Sequence, residues 1–461
     1  MASLARVGVR ALGTRCAPVR AERAVTLASY DATALVPAVL GALSSWKLSD
    51  ILLFALSKSL PPAALTDLVT HITTSFSPHA RVGFLAPPLP HALVPAAEAR
   101  TSQPMHVAAL AAVPADDALT FHSTIRGAPR VAVGRWTAQK ALWKMGTELR
   151  ADGLDRTGEW KSLWGRENVD EHVPASLAPL HANEIDAMLV CTDPRPEGLW
   201  EGLDARFPHA HLIGGTAALT PFETGREHTL LGAEIYEQGA VGLAWRRPTS
   251  HMMRALGGLV PLGPRLVVTG YVRGILTARA RGNIISSLND HNAAQQFLHL
   301  VLQRRAAPRE RLEAAQLRTL SSHVGRDDDF FLGLYANEDD TMPLLIARIQ
   351  AGHPVRGTLG LDSESELSGL GRYAQVFRAA AHGDVRTDAP ISTEGVQYVW
   401  VAPDTTPAEV PSLPQPTATD DVWAWERLFL AGTESSWFAR TPGMRTRACT
   451  VPQSSVVLCR T

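Results

Sequence analysis

Short apolar runs and helix-spaced apolar positions alternate along the first 250 residues. Leu35, Val39, Leu43 and Trp46 follow Asp31 at spacings of four, four and three, and predict a helix from Ala32 to about Trp46 with Asp31 as its cap. Asp50–Leu56 (DILLFAL) is a continuous apolar run and predicts a strand buried on both faces. Pro61 and Pro62 suit the first turn of a helix carrying Leu65, Leu68, Val69 and Ile72 on one side. Arg81–Leu85 is the next expected strand. Ile185–Cys191, Glu197–Phe207 and His209–Ile213 repeat the strand–helix–strand order. Two such units argue for layered α/β architecture. Met105–Val113 is a further strand. Thr229–Tyr236 and Ala240–Trp245 predict a hairpin turning at Glu237–Gln238–Gly239.

A second half starts near His251, where Gly257–Gly258 and Pro261–Pro264 punctuate the chain. Strands are expected at Arg265–Thr269, Asn283–Leu288, Phe330–Tyr335, Leu344–Ile349, Val355–Leu361, Tyr373–Arg378, Val396–Val401 and near Val456–Cys459. Asn289 or Asp290 is expected to cap a helix reaching about Arg304, with Ala294, Phe297, Leu298 and Val301 on its apolar face. Val422–Ala431, with Trp423 and Leu428–Phe429, is expected to be an amphipathic helix. Pro87–Arg100 and Pro403–Thr417 read as loops, and 151–172 as a polar excursion pinned by Trp160 and Trp164. The fold class is α/β to α+β: two sheet-and-helix halves, 30–248 and 249–461, packed as one module.

Composition narrows this picture. The 461 residues are 45% hydrophobic and 19% charged, which allows a sizeable core and excludes a disordered or collagen-like chain. Lys plus Arg is 44 and Asp plus Glu 45, so there is no general attraction to phosphate backbones and no nucleic-acid partner is expected. Four cysteines (Cys16, Cys191, Cys449 and Cys459) do not make a disulfide scaffold. No apolar run reaches the ~18 residues of a transmembrane segment. The charge is unevenly placed. Residues 1–28 contain Arg6, Arg10, Arg15, Arg20 and Arg23 against Glu22 alone. An Arg-rich, acid-poor start is the composition of a mitochondrial transit peptide, and implies the matrix as location. Without it the net charge falls from −1 to about −5.

Catalytic signatures are scarce. There is no GxxxxGK[ST], HExxH, CxxC or GxSxG motif, so neither a cofactor nor a metal is expected. His209 and His211 can share a strand face but lack a third ligand nearby. Asp327–Asp328–Asp329 lacks the alternating spacing and glycine of a cation loop. Cys191, at the end of a buried strand, is either a nucleophile or an inert core thiol.

The most suggestive stretch is 212–232, LIGGTAALTPFETGREHTLLG. Gly214 and Gly215 would let a ligand approach backbone N–H donors. Thr216, Thr220 and Thr224 offer hydroxyls, and Arg226 can clamp a carboxylate or phosphate. The competing reading is a long turn held by its own side-chain–backbone bonds, with Arg226 in a structural ion pair.

FHSTIRGAPRVAVGRW (121–136), LIGGTAALTPFETGREHTLLG (212–232), GAVGLA (239–244), PLGPRLVVTG (261–270) and RGNIISSLNDHNAAQQFL (281–298) resemble FIST-domain proteins, in particular stand-alone fungal members with mitochondrial leaders. The resemblance implies an N-terminal and a C-terminal FIST part. The latter would open on Leu262–Pro264, Val268–Thr269, Gly282–Ile284 and the helix Ala293–Leu300. It also implies a sensory module that binds a small polar or anionic metabolite, amino acids included, and reports to a separate signalling partner protein. Tyr271–Ala278 (YVRGILTA) looks inserted relative to the family and reads as a hairpin tip or a retained short intron. Two other functions compete with ligand sensing: an enzyme of unknown reaction on a small metabolite, and a mitochondrial interaction scaffold using 151–172.

Overall fold

A strand that is apolar on both faces needs cover on both sides, and that requirement shapes the first half of the chain. The structure is a computed structural model that describes residues 22–46, 49–94, 103–125, 173–194, 196–221, 224–248, 250–271, 284–305, 330–353, 357–361, 371–379, 385–387, 395–403, 405–410, 413–419 and 421–461. Strand β1 (Arg23–Ser29) leads into α1 (Ala32–Ser44), whose cap Asp31 accepts a hydrogen bond from the Thr33 amide at 2.8 Å. β2 (Ile51–Ser57), α2 (Pro62–Ser75) and β3 (Arg81–Ala86) follow, with β2 and β3 parallel. β4 (His106–Val113) lies between β1 and β2, antiparallel to both. Ile51, Leu53 and Ala55 enter the main core. Leu52, Phe54 and Leu56 pack instead with Leu35, Val39, Leu43, Leu68 and Ile72 of the helices. One strand's alternation thus serves two layers.

The second unit repeats the plan. After β5 (Ala118–Ser123) come β6 (Ala187–Thr192), α3 (Glu197–Arg206) and β7 (His211–Thr216), with β6 and β7 parallel. Leu189 and Cys191 face the main core, while Met188 and Val190 pack with Leu199, Trp200 and Leu203 of α3. The hairpin expected over 229–245 is not formed. Instead β8 (Leu230–Leu231) pairs with β9 (Ile235–Tyr236) at the edge of the first sheet, beside β3. β10 (Ala240–Trp245) belongs to the second sheet, between β5 and β6. Gly239, at φ 92°, carries the chain from one sheet to the other; a side chain there would strike the Ser123 carbonyl. Its N–H donates to the Asp193 carboxylate at 2.7 Å.

Beyond β11 (Ser250–Leu256) and β12 (Leu259–Pro261) the chain builds a closed barrel. β13 (Leu266–Tyr271), β14 (Ile284–Leu288), β18 (Thr358–Leu361), β17 (Leu345–His353), β16 (Phe330–Tyr335) and β19 (Tyr373–Ala379) pair in that order, and β19 returns to β13. Every pairing in the ring is antiparallel. Ile285, Leu332, Leu334, Leu359 and Val376 share its core with Phe297, Leu298 and Val301 of α4 (Ala293–Arg305). Asn289 and Asp290 do not cap that helix. At φ 50° and 61° they turn β14 into the short β15 (His291–Asn292), the geometry of a two-residue hairpin. Asn292 is the cap, its Oδ1 accepting from the Gln295 amide at 2.9 Å.

The remaining strands interleave the two halves. β20 (Arg386–Thr387), β11, β27 (Ser454–Arg460), β21 (Val396–Val401) and β24 (Leu428–Gly432) form a five-stranded sheet. β22 (Thr417–Thr419) and β23 (Val422–Glu426) extend the first sheet from β1; β25 (Trp437–Arg440) and β26 (Arg447–Cys449) extend the second from β7. Val422–Ala431 is therefore two strands and not a helix. Trp423 and Trp425 are buried at alternate positions, as in a strand with one buried face, and Arg427, at φ 57°, breaks the run between β23 and β24. Sequence reading also missed β5, β11, β25 and β26. One core joins residues from Ala24 to Leu458, and the chain is mixed α and β.

β1 uses the last six residues of the segment read as a 1–28 leader. It pairs with β4 on one side and β23 on the other. Next to it, Glu22 accepts from Arg460 Nε at 2.8 Å and from the Tyr398 hydroxyl at 3.0 Å. Removing 23–28 would take out an inner strand, so a leader compatible with this fold ends before Glu22. Trp160, Trp164, Asp327–Asp329 and residues 272–278 lie outside the described residues. No helix among the described residues is long and apolar enough to cross a membrane.

Candidate functional site

The glycines and threonines of 212–232 are brought together, but with protein and not with open space. Gly214 pairs with Phe438 of β25, and a Cβ there would collide with the Phe438 ring and the Val190 carbonyl. At Gly215 a Cβ would collide with the Trp400 indole. Their missing side chains make room for aromatic rings, not for a ligand. Thr216 is buried. Its Oγ1 lies 2.9 Å from Thr433 Oγ1 and 3.1 Å from Ser435 Oγ, and accepts from the Ser435 amide at 3.0 Å. Thr220 Oγ1 lies 3.2 Å from Thr224 Oγ1 and 3.3 Å from Thr229 Oγ1. Thr224 Oγ1 donates to the Thr220 carbonyl at 3.1 Å and accepts from the Arg226 amide at 3.2 Å. Arg226 is exposed and pairs with no acid among the described residues. The stretch has the geometry of a self-bonded turn.

Other residues singled out from sequence also find structural places. Cys191 is 1% exposed, and burial pushes its thiol well up. A thiol held protonated is no nucleophile. Only His211 of the His209–His211 pair lies in β7, and burial lowers its pKa. Among the described residues no three His, Cys, Asp or Glu side chains gather as a metal site.

A different concavity opens where the barrel meets the sheets. Met342–Ile346 on the barrel side, β11, and the β25–β26 segment line a cleft of about 90 Å³. Arg254, Arg445 and Arg447 converge there. Arg447 Nε and Nη1 are buried without a hydrogen-bond partner. Burial first, then the charges of Arg254 and Arg445, bring its pKa down to about 10, while Asp204 acts the other way. Arg254 Nη1 donates to the Pro343 carbonyl at 3.4 Å.

Arg440 lines the same cleft; its Nε and Nη1 are committed to the fold, and Nη2 is left without a partner. It donates to Asp204 Oδ1 at 2.7 Å and to the carbonyls of Leu203 and Ala210 at 3.0 Å. Asp204 is also taken up by the Thr446 hydroxyl at 2.6 Å and amide at 2.9 Å. Burial pushes Cys449, on the cleft wall, up to about 11, so it too stays protonated at neutral pH. Met252, Met342, Met444 and Trp437 supply an apolar wall, and no Asp or Glu is among the described lining residues. A part-apolar concavity with a few convergent charged groups is the general form of a small-molecule site. Sequence reading missed it because Arg254 and Arg447 are far apart in the chain. The available local signal was Arg445–Thr446–Arg447, two arginines at the spacing that shares a face in extended chain.

No curated protein gives a significant match to the chain. Residues 103–291 match the family model of the FIST N domain. The match runs from just before β4 to His291 in β15, and takes in Leu262–Pro264 and Val268–Thr269. It supports a FIST-domain protein, and FIST domains are generally small-ligand sensory domains of signalling proteins.

Proposed function

We propose that this chain is a sensory protein that binds a small anionic metabolite, an amino acid or a related acid, in the arginine-lined cleft. The observation that supports it is Arg447. A half-buried guanidinium with two buried, unpartnered nitrogens and like charges around it is costly unless something anionic completes it. A carboxylate or phosphate would do so with charge-assisted bonds. The bound state would be read by a separate signalling protein. The C-terminal FIST part that the resemblance implies, 249–461, would overlap the matched segment as far as residue 291.

A thermal-shift screen of the full chain against amino acids and organic acids tests this reading. Binding to the native state raises the unfolding temperature by mass action. At least one anionic member is expected to do so at millimolar concentration; a panel without any shift would defeat the reading.

We also propose the mitochondrial matrix as location, supported by the four arginines, with no acid, before Glu22. Processing would fall before Glu22, which leaves β1 intact. N-terminal sequencing of the protein from purified mitochondria should find a start at or before Glu22. A start at Ser29 would show that the mature chain dispenses with β1.

A further inference from the structure

The cleft's size and charge together select a ligand class, an inference that rests on the cleft being the ligand site. A cleft of about 90 Å³ has room for a small metabolite. An amino acid of that size brings a carboxylate and an ammonium. Its carboxylate would meet Arg254, Arg445 and Arg447. Its ammonium would meet like charge, because no acid is among the described lining residues. Asp204, the acid that acts on Arg447, already serves Arg440 and Thr446 with both oxygens.

A second carboxylate removes the conflict, since guanidinium groups can share two acids among them. We infer that the cleft takes a short aliphatic dicarboxylate in preference to an amino acid. Three arginines match two acid groups, and Met252, Met444 and Trp437 match the methylenes between them.

Calorimetric titration of the full chain with succinate and with threonine separates the two classes. The two have the same number of non-hydrogen atoms and differ in the end group. Succinate is expected to bind and threonine not to. Arg447→Met should weaken succinate roughly tenfold to a hundredfold, as for loss of a charge-assisted bond, and Arg447→Lys should recover part of that loss. Thermal unfolding checks that both variants fold. Arg445→Ala, at an exposed position, gives the same test should Arg447→Met not fold.

Binding of threonine without succinate would overturn the dicarboxylate inference and leave the cleft as a ligand site. Succinate affinity unchanged by both Arg447→Met and Arg445→Ala would overturn the site itself. Silence from succinate, threonine and the whole thermal-shift panel would overturn the functional reading along with it.

Discussion

The Gly214–Arg226 stretch and the Arg254–Arg447 cleft are both rich in hydrogen-bond donors, and they differ in where those donors go. In the first, Thr216 bonds to Thr433 and Ser435, and Thr220 and Thr224 bond to each other and to nearby backbone. The space beside Gly214 and Gly215, just before these threonines, is filled by rings from Phe438 and Trp400. In the second, Arg447 keeps two buried nitrogens unpartnered beside two further arginines. Density of donors along a sequence marks a turn as readily as a site. Unmet demand is the sharper sign where it opens on a concavity: His228 Nε2 is also buried without a partner, but it does not line the cleft, whereas Arg447 does so beside two other cations.

Four substitutions can break or sharpen that contrast. Asp204→Ala should have the largest effect. It strands Arg440, whose side chain is fully buried, and loss of one partner of a buried pair costs about 3–5 kcal/mol; urea unfolding measures it. A small loss would mean that Arg440 is as available to a ligand as Arg447. Gly214→Val comes next, at about 1–3 kcal/mol or more for overpacking against Phe438 and Val190. A variant of normal stability with altered ligand binding would restore Gly214 as a point of ligand approach. Thr216→Val should cost about 1–2 kcal/mol by leaving buried partners unsatisfied, again by urea unfolding, with no change in succinate affinity. Arg226→Ala should be smallest. At an exposed position it should change stability by less than about 0.5 kcal/mol and leave calorimetric affinity as it was. A tenfold loss there, with Arg447→Met unaffected, would reverse the comparison.

Much of the fold was legible from apolar pattern. β2, β6, β16 and β21 are strands buried at every position, and their short, largely apolar runs, about six residues long, favour strand over helix. α1 and α2 follow from apolar spacing with Asp31 and Pro62 at their starts. Reading failed where tertiary contacts decide. Val422–Ala431 has enough apolar residues for either period, and its two strands exist because β1 and β21 are there to pair with. β1 itself looked like part of a leader, since composition cannot tell an Arg-rich tail from the strand that follows it. The glycine pair of β7 was visible, but the rings that fill it come from residues 400 and 438. The cleft was hidden for the same reason, being assembled from β11, the barrel and β25–β26.

The late strands have a consequence for how the molecule is made. β23 and β25 complete sheets whose other members were laid down much earlier, with about 390 residues between β1 and β23. At roughly 5–20 residues per second, a ribosome takes about 20–80 s to cover that distance. Until β23 emerges β1 presents an unpaired edge, and β7 does the same from its own synthesis until β25 emerges; such edges recruit other chains. Completion of the first two sheets thus waits for residues 422–449. A message truncated before codon 422 would yield a product with two sticky edges, and such products should depend on chaperones far more than the full chain does.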